Sequence, residues 1–184
     1  AVAYFANSKN PSSKGRSDGG VLCVNNEYVA PALMFSGRRR SETAEERRLW
    51  GLKNPQAIDV MKAAHGVSII EVSRRRGVWQ RHAGAPLTRR ITAETLCEIT
   101  GPARGAALLR TKEDPDGVRV RGTFANCAGG KTPWGTYLTA EENIDDYFGF
   151  AVSWAKSTDD SSTVEAFRRF PLREPGAPSS RDGR

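Results

Sequence analysis

Residues 126–143 read NCAGGKTPWGTYLTAEEN, and this stretch is the most informative part of the chain for fold and function. It starts with an asparagine and a cysteine, and it ends with two glutamates and an asparagine. Gly129-Gly130 predicts a turn in which the backbone closely approaches another group. We therefore expect one strand to end at Cys127 and a second strand to run through Tyr137 toward the glutamates.

If the two strands are neighbours, their polar ends come together. These ends offer one thiol, two carboxylates and two amides, from Cys127, Glu141, Glu142, Asn126 and Asn143. A thiolate suits a transition metal, and oxygen ligands suit a hard cation such as Ca²⁺. The stretch therefore predicts a metal site. The alternative is a small buried cysteine beside glutamates that cap a helix or lie in solvent.

The rest of the chain favours short strands joined by long loops. The apolar run 21–24 predicts a strand, and residues 67–79 predict a hairpin around the basic turn Arg74–Gly77. Further strands are expected within 91–100 and 118–124, whereas the first twenty residues are interpreted as loop. Residues 41–64 look helical, with Ser41 or Thr43 as the cap and Pro55 at a helix start. Because no βαβ rhythm is present, the chain is expected to be mainly β, with long loops and short helices, as in part of a propeller.

The composition argues against a membrane-spanning protein and against a zinc ribbon. The chain has 184 residues, is 38% hydrophobic and carries a net charge of +7, which suits a soluble domain that meets acidic partners. No apolar run is long enough for a membrane span, and no signal peptide is visible before residue 20. The three cysteines include no CxxC pair, which excludes a zinc ribbon, and a disulfide between Cys23 and Cys97 stays open.

The stretch 126–143 resembles the central signature of the PhoX family of alkaline phosphatases, Asn-Cys-Ala-Gly-Gly-x-Thr-Pro-Trp-Gly-Thr-x-Leu-Thr-x-Glu-Glu-Asn. Residues 24–28, Val-Asn-Asn-Glu-Tyr, resemble the family's Asn-His-Glu-Tyr, and residues 63–68 resemble its Ala-His-Gly-Gly-Ser. The resemblance implies a fragment of the family's six-bladed β-propeller over residues 1–150. Residues 151–184 are expected to form a divergent or disordered tail.

The resemblance also implies a function and a set of ligands. Family members are secreted or periplasmic phosphomonoesterases that hold Fe³⁺ and Ca²⁺, so the expected partner is a small phosphomonoester rather than a nucleic acid. The family's iron-ligating cysteine corresponds to Cys127, and Glu27, Glu141 and Glu142 correspond to acidic ligands of calcium or iron. Lys131, in the glycine-rich segment, is a candidate contact for the substrate phosphate. His65 is interpreted as a hydrogen-bonded turn histidine rather than as a ligand.

The sequence departs from the family in ways that keep other functions open. Asn26 stands where the family often has histidine, and the family's later acidic and arginine motifs are missing. A non-catalytic calcium-binding propeller remnant is therefore one alternative, and a basic module that binds polyanions is another. A partial propeller would also expose strand edges, which predicts self-association or marginal stability.

Overall fold

The computed structural model describes residues 1–6 and 18–142. Within these residues the strands are β1 Val2–Ala6, β2 Gly19–Asn26, β3 Gly66–Arg75, β4 Val78–Arg81, β5 Arg89–Ile91, β6 Leu96–Glu98, β7 Arg119–Arg121, β8 Asn126–Lys131 and β9 Tyr137–Glu141. The helices are α1 Pro31–Met34, α2 Ala44–Lys53 and α3 Pro55–Ala64, and a 3₁₀ turn spans Ala107–Leu109. The chain divides into two compact units. The first contains Ala1–Val29 and Asp59–Glu142, and the second contains Ala30–Ile58.

A five-stranded antiparallel sheet forms the centre of the first unit. Its order is β1-β2-β3-β4. β5 also pairs with β3, at residues 67–69, whereas β4 pairs with residues 72–75 of that strand. The β2–β3 ladder runs from Gly19 opposite Ser73 to Asn26 opposite Gly66, so the end of β2 meets the start of β3. Two separate two-stranded sheets, β6–β7 and β8–β9, complete the described strands.

The predicted hairpin at residues 67–79 is present as β3 and β4. Arg76 and Gly77 connect the strands with φ values of 49° and 83°. Two consecutive positive φ angles are the requirement of the tight turn whose twist matches that of paired strands. The apolar run 21–24 is likewise part of a strand, β2.

Two expectations for strands were wrong. The first twenty residues are not all loop, because Val2–Ala6 form β1 and Gly19 begins β2, while residues 7–17 lie outside the described residues. The aromatic and β-branched residues of β1 favour an extended chain, and β2 supplies their pairing partner. Residues 91–100 do not form one strand. A turn in which the Thr95 amide donates to the Thr92 carbonyl separates β5 from β6.

The helical region 41–64 contains two helices rather than one. Thr43 caps α2: its hydroxyl accepts from the Glu46 amide at 3.2 Å, and the Glu46 carboxylate accepts from the Thr43 amide at 2.7 Å. Pro55 begins α3, as predicted, because a proline ring is tolerated in a first turn but would break a continuous helix.

The turn that the sequence predicted at Gly129-Gly130 is absent from the β8–β9 hairpin. Gly129 and Gly130 lie inside β8, and the chain reverses at residues 132–135. Thr132 is buried, and its hydroxyl accepts from the Thr136 amide at 2.9 Å, while Gly135 has a φ of 87°. Gly129 serves a different purpose: a Cβ there would lie 2.7 Å from the Tyr137 hydroxyl. The glycine therefore makes room for a cross-strand tyrosine.

The buried non-glycine residues among those described are few. The hydrophobic ones are Cys23, Val67 and Ala125, and the polar ones are His65, Asn126 and Thr132. Most of them come from the meeting point of β2, β3 and the start of β8. By contrast, Leu108 is 98% exposed and Trp134 is 76% exposed. Within the described residues, no helix combines the length and the apolar character needed to cross a membrane.

Candidate metal site

Three chain segments converge at one end of the β8–β9 hairpin. Antiparallel pairing sets Asn126, at the start of β8, opposite Glu141, at the end of β9. The next residue, Glu142, is tied to the same place because its amide donates to the Ala125 carbonyl at 2.9 Å. Glu27 follows the end of β2. The expectation that a strand ends at Cys127 was wrong, because Cys127 lies at the start of β8, and it is this start that meets the glutamates at the end of β9.

The Cys127 sulfur and carboxylate oxygens of Glu27 and Glu142 all lie within 4.8 Å of one another. Glu27 and Cys127 are half-buried, and Glu142 is exposed. In the part of the chain that the structure describes, no other trio of histidine, cysteine or acidic side chains has this geometry. A single cation could therefore contact all three groups, and the exposed Glu142 marks the side open to solvent.

The two carboxylates control the protonation of Cys127. The pKa of the thiol is raised from 9.0 to about 11. The largest cause is its hydrogen bond to Glu142, followed by partial removal from water and by the hydrogen bond to Glu27. The thiol proton thus sits between negative charges that disfavour a thiolate. A metal ion would take the place of that proton and neutralise the same charges, so the three side chains fit a cation.

His65 contacts the backbone of Glu27. Its ring forms a hydrogen bond with the Glu27 backbone, and burial is the main cause that holds the histidine pKa below its ordinary value. The ring is 4% exposed and meets Phe124 edge-on, with centroids 6.2 Å apart. His65 is therefore a hydrogen-bonded structural residue, as interpreted from the sequence, and it is not among the three converging side chains.

Glu141 lies outside the converging group. Its Oε1 accepts from the Thr123 hydroxyl at 2.6 Å and from the Phe124 amide at 3.2 Å. Successive side chains of a strand point to opposite faces, so two adjacent glutamates at a strand end have different surroundings. Glu141 orders the loop that leads into β8, while Glu142 faces Cys127.

Lys131 lies at the other end of β8 from Cys127. Lys131 is four residue steps further along the strand, which corresponds to roughly 13 Å. The Lys131 ammonium stands 5.2 Å from the centre of the Phe5 ring, a cation–π distance. The structure therefore does not bring this sequence candidate together with the acidic and thiol groups.

Sequence reasoning missed the polar network behind the site. The Asn25 amide nitrogen donates to the carbonyls of Cys127 and Ala128, each at 3.1 Å. The Asn25 amide oxygen accepts from Tyr137 at 2.7 Å and from Thr139 at 3.1 Å. Asn25 stood within the quoted motif, but its partners lie more than one hundred positions away, so no local pattern could reveal them.

All three cysteines are free, so the open question of a Cys23–Cys97 disulfide is answered for this structure. Cys23 is buried, which raises the pKa of its thiol, and the positive charge of Arg89 opposes that rise. Cys127 is the cysteine that faces two carboxylates, and it is therefore the one that is suited to bind a metal.

Comparison with known proteins yields two matches. The family model "Alkaline phosphatase PhoX" matches residues 2–177. The solved structure of Pseudomonas fluorescens PhoX in complex with vanadate, a transition state analogue, is 34% identical, with a TM-score of 0.67. That similarity covers 95% of this chain and 27% of the PhoX chain. No curated protein matches the chain.

These matches extend over nearly the whole sequence, and the PhoX structure shares its strand arrangement. The prediction of a mainly β fold that is part of a propeller is thereby confirmed. Residues 151–184, expected to be divergent or disordered, lie outside the described residues. Both the family match and the structural match lead to the same assignment: the chain belongs to the PhoX family of alkaline phosphatases.

Proposed function

We propose that this chain contributes Glu27, Cys127 and Glu142 to the metal centre of a phosphomonoesterase. The observation that carries the proposal is the approach of three ligand atoms to within 4.8 Å in a member of the PhoX family. The thiol of Cys127 keeps its proton because the carboxylates of Glu27 and Glu142 lie beside it. None of these three side chains carries a positive charge. A bound cation would supply the missing positive charge.

Fe³⁺ and Ca²⁺ are the ions that we propose for this centre. Thiolate ligation by Cys127 favours iron, whereas the carboxylates of Glu27 and Glu142 suit either ion. A bound cation would polarise the phosphoryl oxygens of a small phosphomonoester and offset their charge. Glu142, on the exposed side, would face the entering substrate, and the half-buried Glu27 would hold the ion from the side of the sheet.

The other two sequence candidates take different parts in the proposal. Glu141 would reach a cation only by releasing Thr123 and Phe124, so we assign it to holding the loop before β8. A phosphate contact by Lys131 would require its side chain to leave Phe5, and this contact stays a prediction. A periplasmic or secreted location is likewise inferred from the family.

A second candidate function is metal binding without hydrolysis. The chain spans about a quarter, 27%, of the length of the PhoX chain that it matches. The described trio also supplies fewer than the six to eight oxygen ligands that Ca²⁺ ordinarily takes. Further ligands would then have to come from elsewhere for a working centre, and the chain by itself would bind a metal but leave phosphate esters intact.

Metal content and hydrolysis, measured on the same preparations, separate these possibilities. Iron and calcium would be measured by elemental analysis in the 184-residue chain, in Cys127→Ala and in the matched control Glu141→Gln. We expect iron in the wild type and in Glu141→Gln, and its loss in Cys127→Ala. An absence of bound metal from the wild type would refute the proposed centre.

Hydrolysis of p-nitrophenyl phosphate, with vanadate as inhibitor, then decides between the two functions. The matching PhoX structure is a complex with vanadate, so vanadate-sensitive hydrolysis that disappears in Cys127→Ala would support the phosphatase. Metal binding without any hydrolysis would favour the non-catalytic alternative.

A further inference from the structure

The hairpin strand that carries Cys127 is irregular at that residue. The β8–β9 register shifts between Asn126 and Gly129, so Cys127 and Ala128 together stand opposite the single residue Ala140. Such a bulge adds one residue to a strand, disrupts the local ladder and re-aims a side chain. The carbonyls of Cys127 and Ala128 consequently fall outside the regular β9 backbone ladder, and backbone groups of this kind are rarely left without a partner.

Asn25, on a different strand, is the one side chain that donates to both carbonyls; the Ala1 ammonium also donates to the Cys127 carbonyl at 3.0 Å, and the Thr139 hydroxyl to the Ala128 carbonyl at 3.3 Å. The Asn25 amide nitrogen donates to both carbonyls at 3.1 Å. Its amide oxygen accepts from the hydroxyls of Tyr137 and Thr139 at 2.7 and 3.1 Å. All the hydrogen-bonding capacity of the amide is used, and its orientation is fixed because carbonyls can only accept. One side chain therefore contacts both strands of the hairpin.

The same side chain connects two of the converging groups. Asn25 precedes Glu27 by two residues, so its amide links the strand end that carries Glu27 to the backbone of Cys127 itself. Gly129 allows this connection, since any side chain there would displace the Tyr137 hydroxyl that Asn25 accepts from. The separation of Glu27 from Cys127 thus depends on this amide and its four hydrogen bonds, together with the Ala1 ammonium, which donates to the Cys127 carbonyl at 3.0 Å.

We propose that Asn25 is a positioning residue for the metal site. It holds the Cys127 bulge in the geometry that presents the sulfur to the carboxylates of Glu27 and Glu142. This inference rests on the proposed function, because it requires that the three side chains bind a metal. It adds a residue that contacts no ligand atom of the site and acts through the backbone of a ligand residue.

The neighbouring amide, Asn26, is a matched control. Its nitrogen donates to the Val24 and Gly66 carbonyls, each at 3.3 Å, and to the Ser68 hydroxyl at 3.0 Å. These partners belong to the β2–β3 pair, and none lies on the β8–β9 hairpin. Asn25→Ala and Asn26→Ala therefore each remove an asparagine with several hydrogen bonds from adjacent positions of one strand, but only Asn25→Ala removes hydrogen bonds to the Cys127 bulge.

Cobalt(II) titration of the reduced 184-residue chain tests the proposal. The intensity of the thiolate-to-cobalt charge-transfer band reports ligation by Cys127, and competition with a chelator gives the affinity. Partners of metal ligands typically change affinity by about 10- to 100-fold, and we expect a loss of that size in Asn25→Ala with a weaker band. For Asn26→Ala we expect the cobalt affinity to change by less than about threefold. This difference between the variants should remain even if both lower the unfolding temperature of the metal-free chain equally.

Equal affinity losses in the two variants, or no loss in Asn25→Ala, would overturn the proposal while leaving the metal site in place. If the wild type binds no cobalt, the proposed function fails and this inference fails with it. If Asn25→Ala does not fold, Tyr137→Phe decides, since it keeps the ring and removes one hydrogen bond to Asn25. We then expect an affinity loss of about fivefold, and an unchanged affinity would overturn the proposal.

Discussion

The Cys127 thiol of the metal-free chain should ionise only in strongly alkaline solution. With its pKa raised to about 11, roughly 1% of the thiol is ionised at pH 9, against roughly half for the ordinary value of 9.0. The sign follows from the charges: two carboxylates beside the sulfur disfavour a third negative charge, so the thiolate forms only at higher pH. A thiol reagent that requires the thiolate should therefore react slowly with Cys127.

Glu142→Gln is the perturbation that tests this cause, because Glu142 makes the largest contribution to the raised pKa. We expect the thiolate fraction at pH 9 to rise about tenfold when that charge is removed. A less basic thiolate is also a weaker nucleophile, so the rate of alkylation should rise by less, about three- to fivefold. The midpoint of the pH–rate profile should move to lower pH in the same variant.

The assay is alkylation by iodoacetamide in the presence of a chelator, with the Cys127 peptide followed by mass spectrometry between pH 7 and pH 11. Peptide resolution separates Cys127 from Cys23 and Cys97. Glu141→Gln is the matched control, because that carboxylate faces Thr123 and Phe124 rather than the sulfur. Its Cys127 profile should coincide with that of the wild type.

Two results would refute this reasoning. A wild-type midpoint near the pKa of an ordinary thiol would show that the carboxylates do not surround Cys127 in solution. Equal shifts in Glu142→Gln and Glu141→Gln would show that the effect is a general one of net charge, and the specific pairing of Glu142 with Cys127 would then be wrong.

Four further predictions follow from the contacts described above. Glu141→Ala should lower the free energy of unfolding by about 1 kcal/mol, measured by urea denaturation, because the Thr123 hydroxyl loses its acceptor; an unchanged midpoint would contradict this. Gly66→Ala should cost about 3 kcal/mol or more and yield little folded protein, since Gly66 has a φ of 98° and a Cβ would overlap the Ile91 carbonyl. Thr43→Ala should destabilise the chain by about 1 kcal/mol through loss of the helix cap, seen as reduced helical circular dichroism on heating. Sedimentation of the 184-residue chain should show concentration-dependent self-association, and a monomer with a sharp, concentration-independent unfolding transition would contradict that expectation.

The sequence allowed the metal-site end of the hairpin to be predicted because its signals are local. Cys127 and Glu142 lie in one continuous stretch, and a short turn between antiparallel strands brings the start of the first strand beside the end of the second. The position of the turn itself was wrong, because paired glycines were interpreted as a reversal when one of them instead makes room for Tyr137. Glu27 was identified only through the family resemblance, since nothing local links it to the hairpin.

The contacts of Asn25 with the β8–β9 hairpin could not be predicted, because they depend on the register between strands that are distant in the sequence. The face that Asn25 presents to the hairpin follows from its pairing opposite Val67 and from the packing of β8 on β1 and β2. Neither the strand pairing nor the packing of β8 can be predicted from the residues next to Asn25 in the sequence. The different surroundings of Glu141 and Glu142 could, however, have been predicted from the sequence, because adjacent residues of a strand face opposite sides.

The bulge at Cys127 has a consequence for how this segment can change in evolution. Removing one residue from the bulge would restore a regular ladder, but it would turn the cysteine to the opposite face of the hairpin and away from Glu27. Substitutions around the bulge are therefore tolerated only where they keep the extra residue and the contacts of Gly129, Tyr137 and Thr139. Natural variation here should preserve the number of residues between Cys127 and Glu142 together with these contacts, so that insertions and deletions in this stretch are purged.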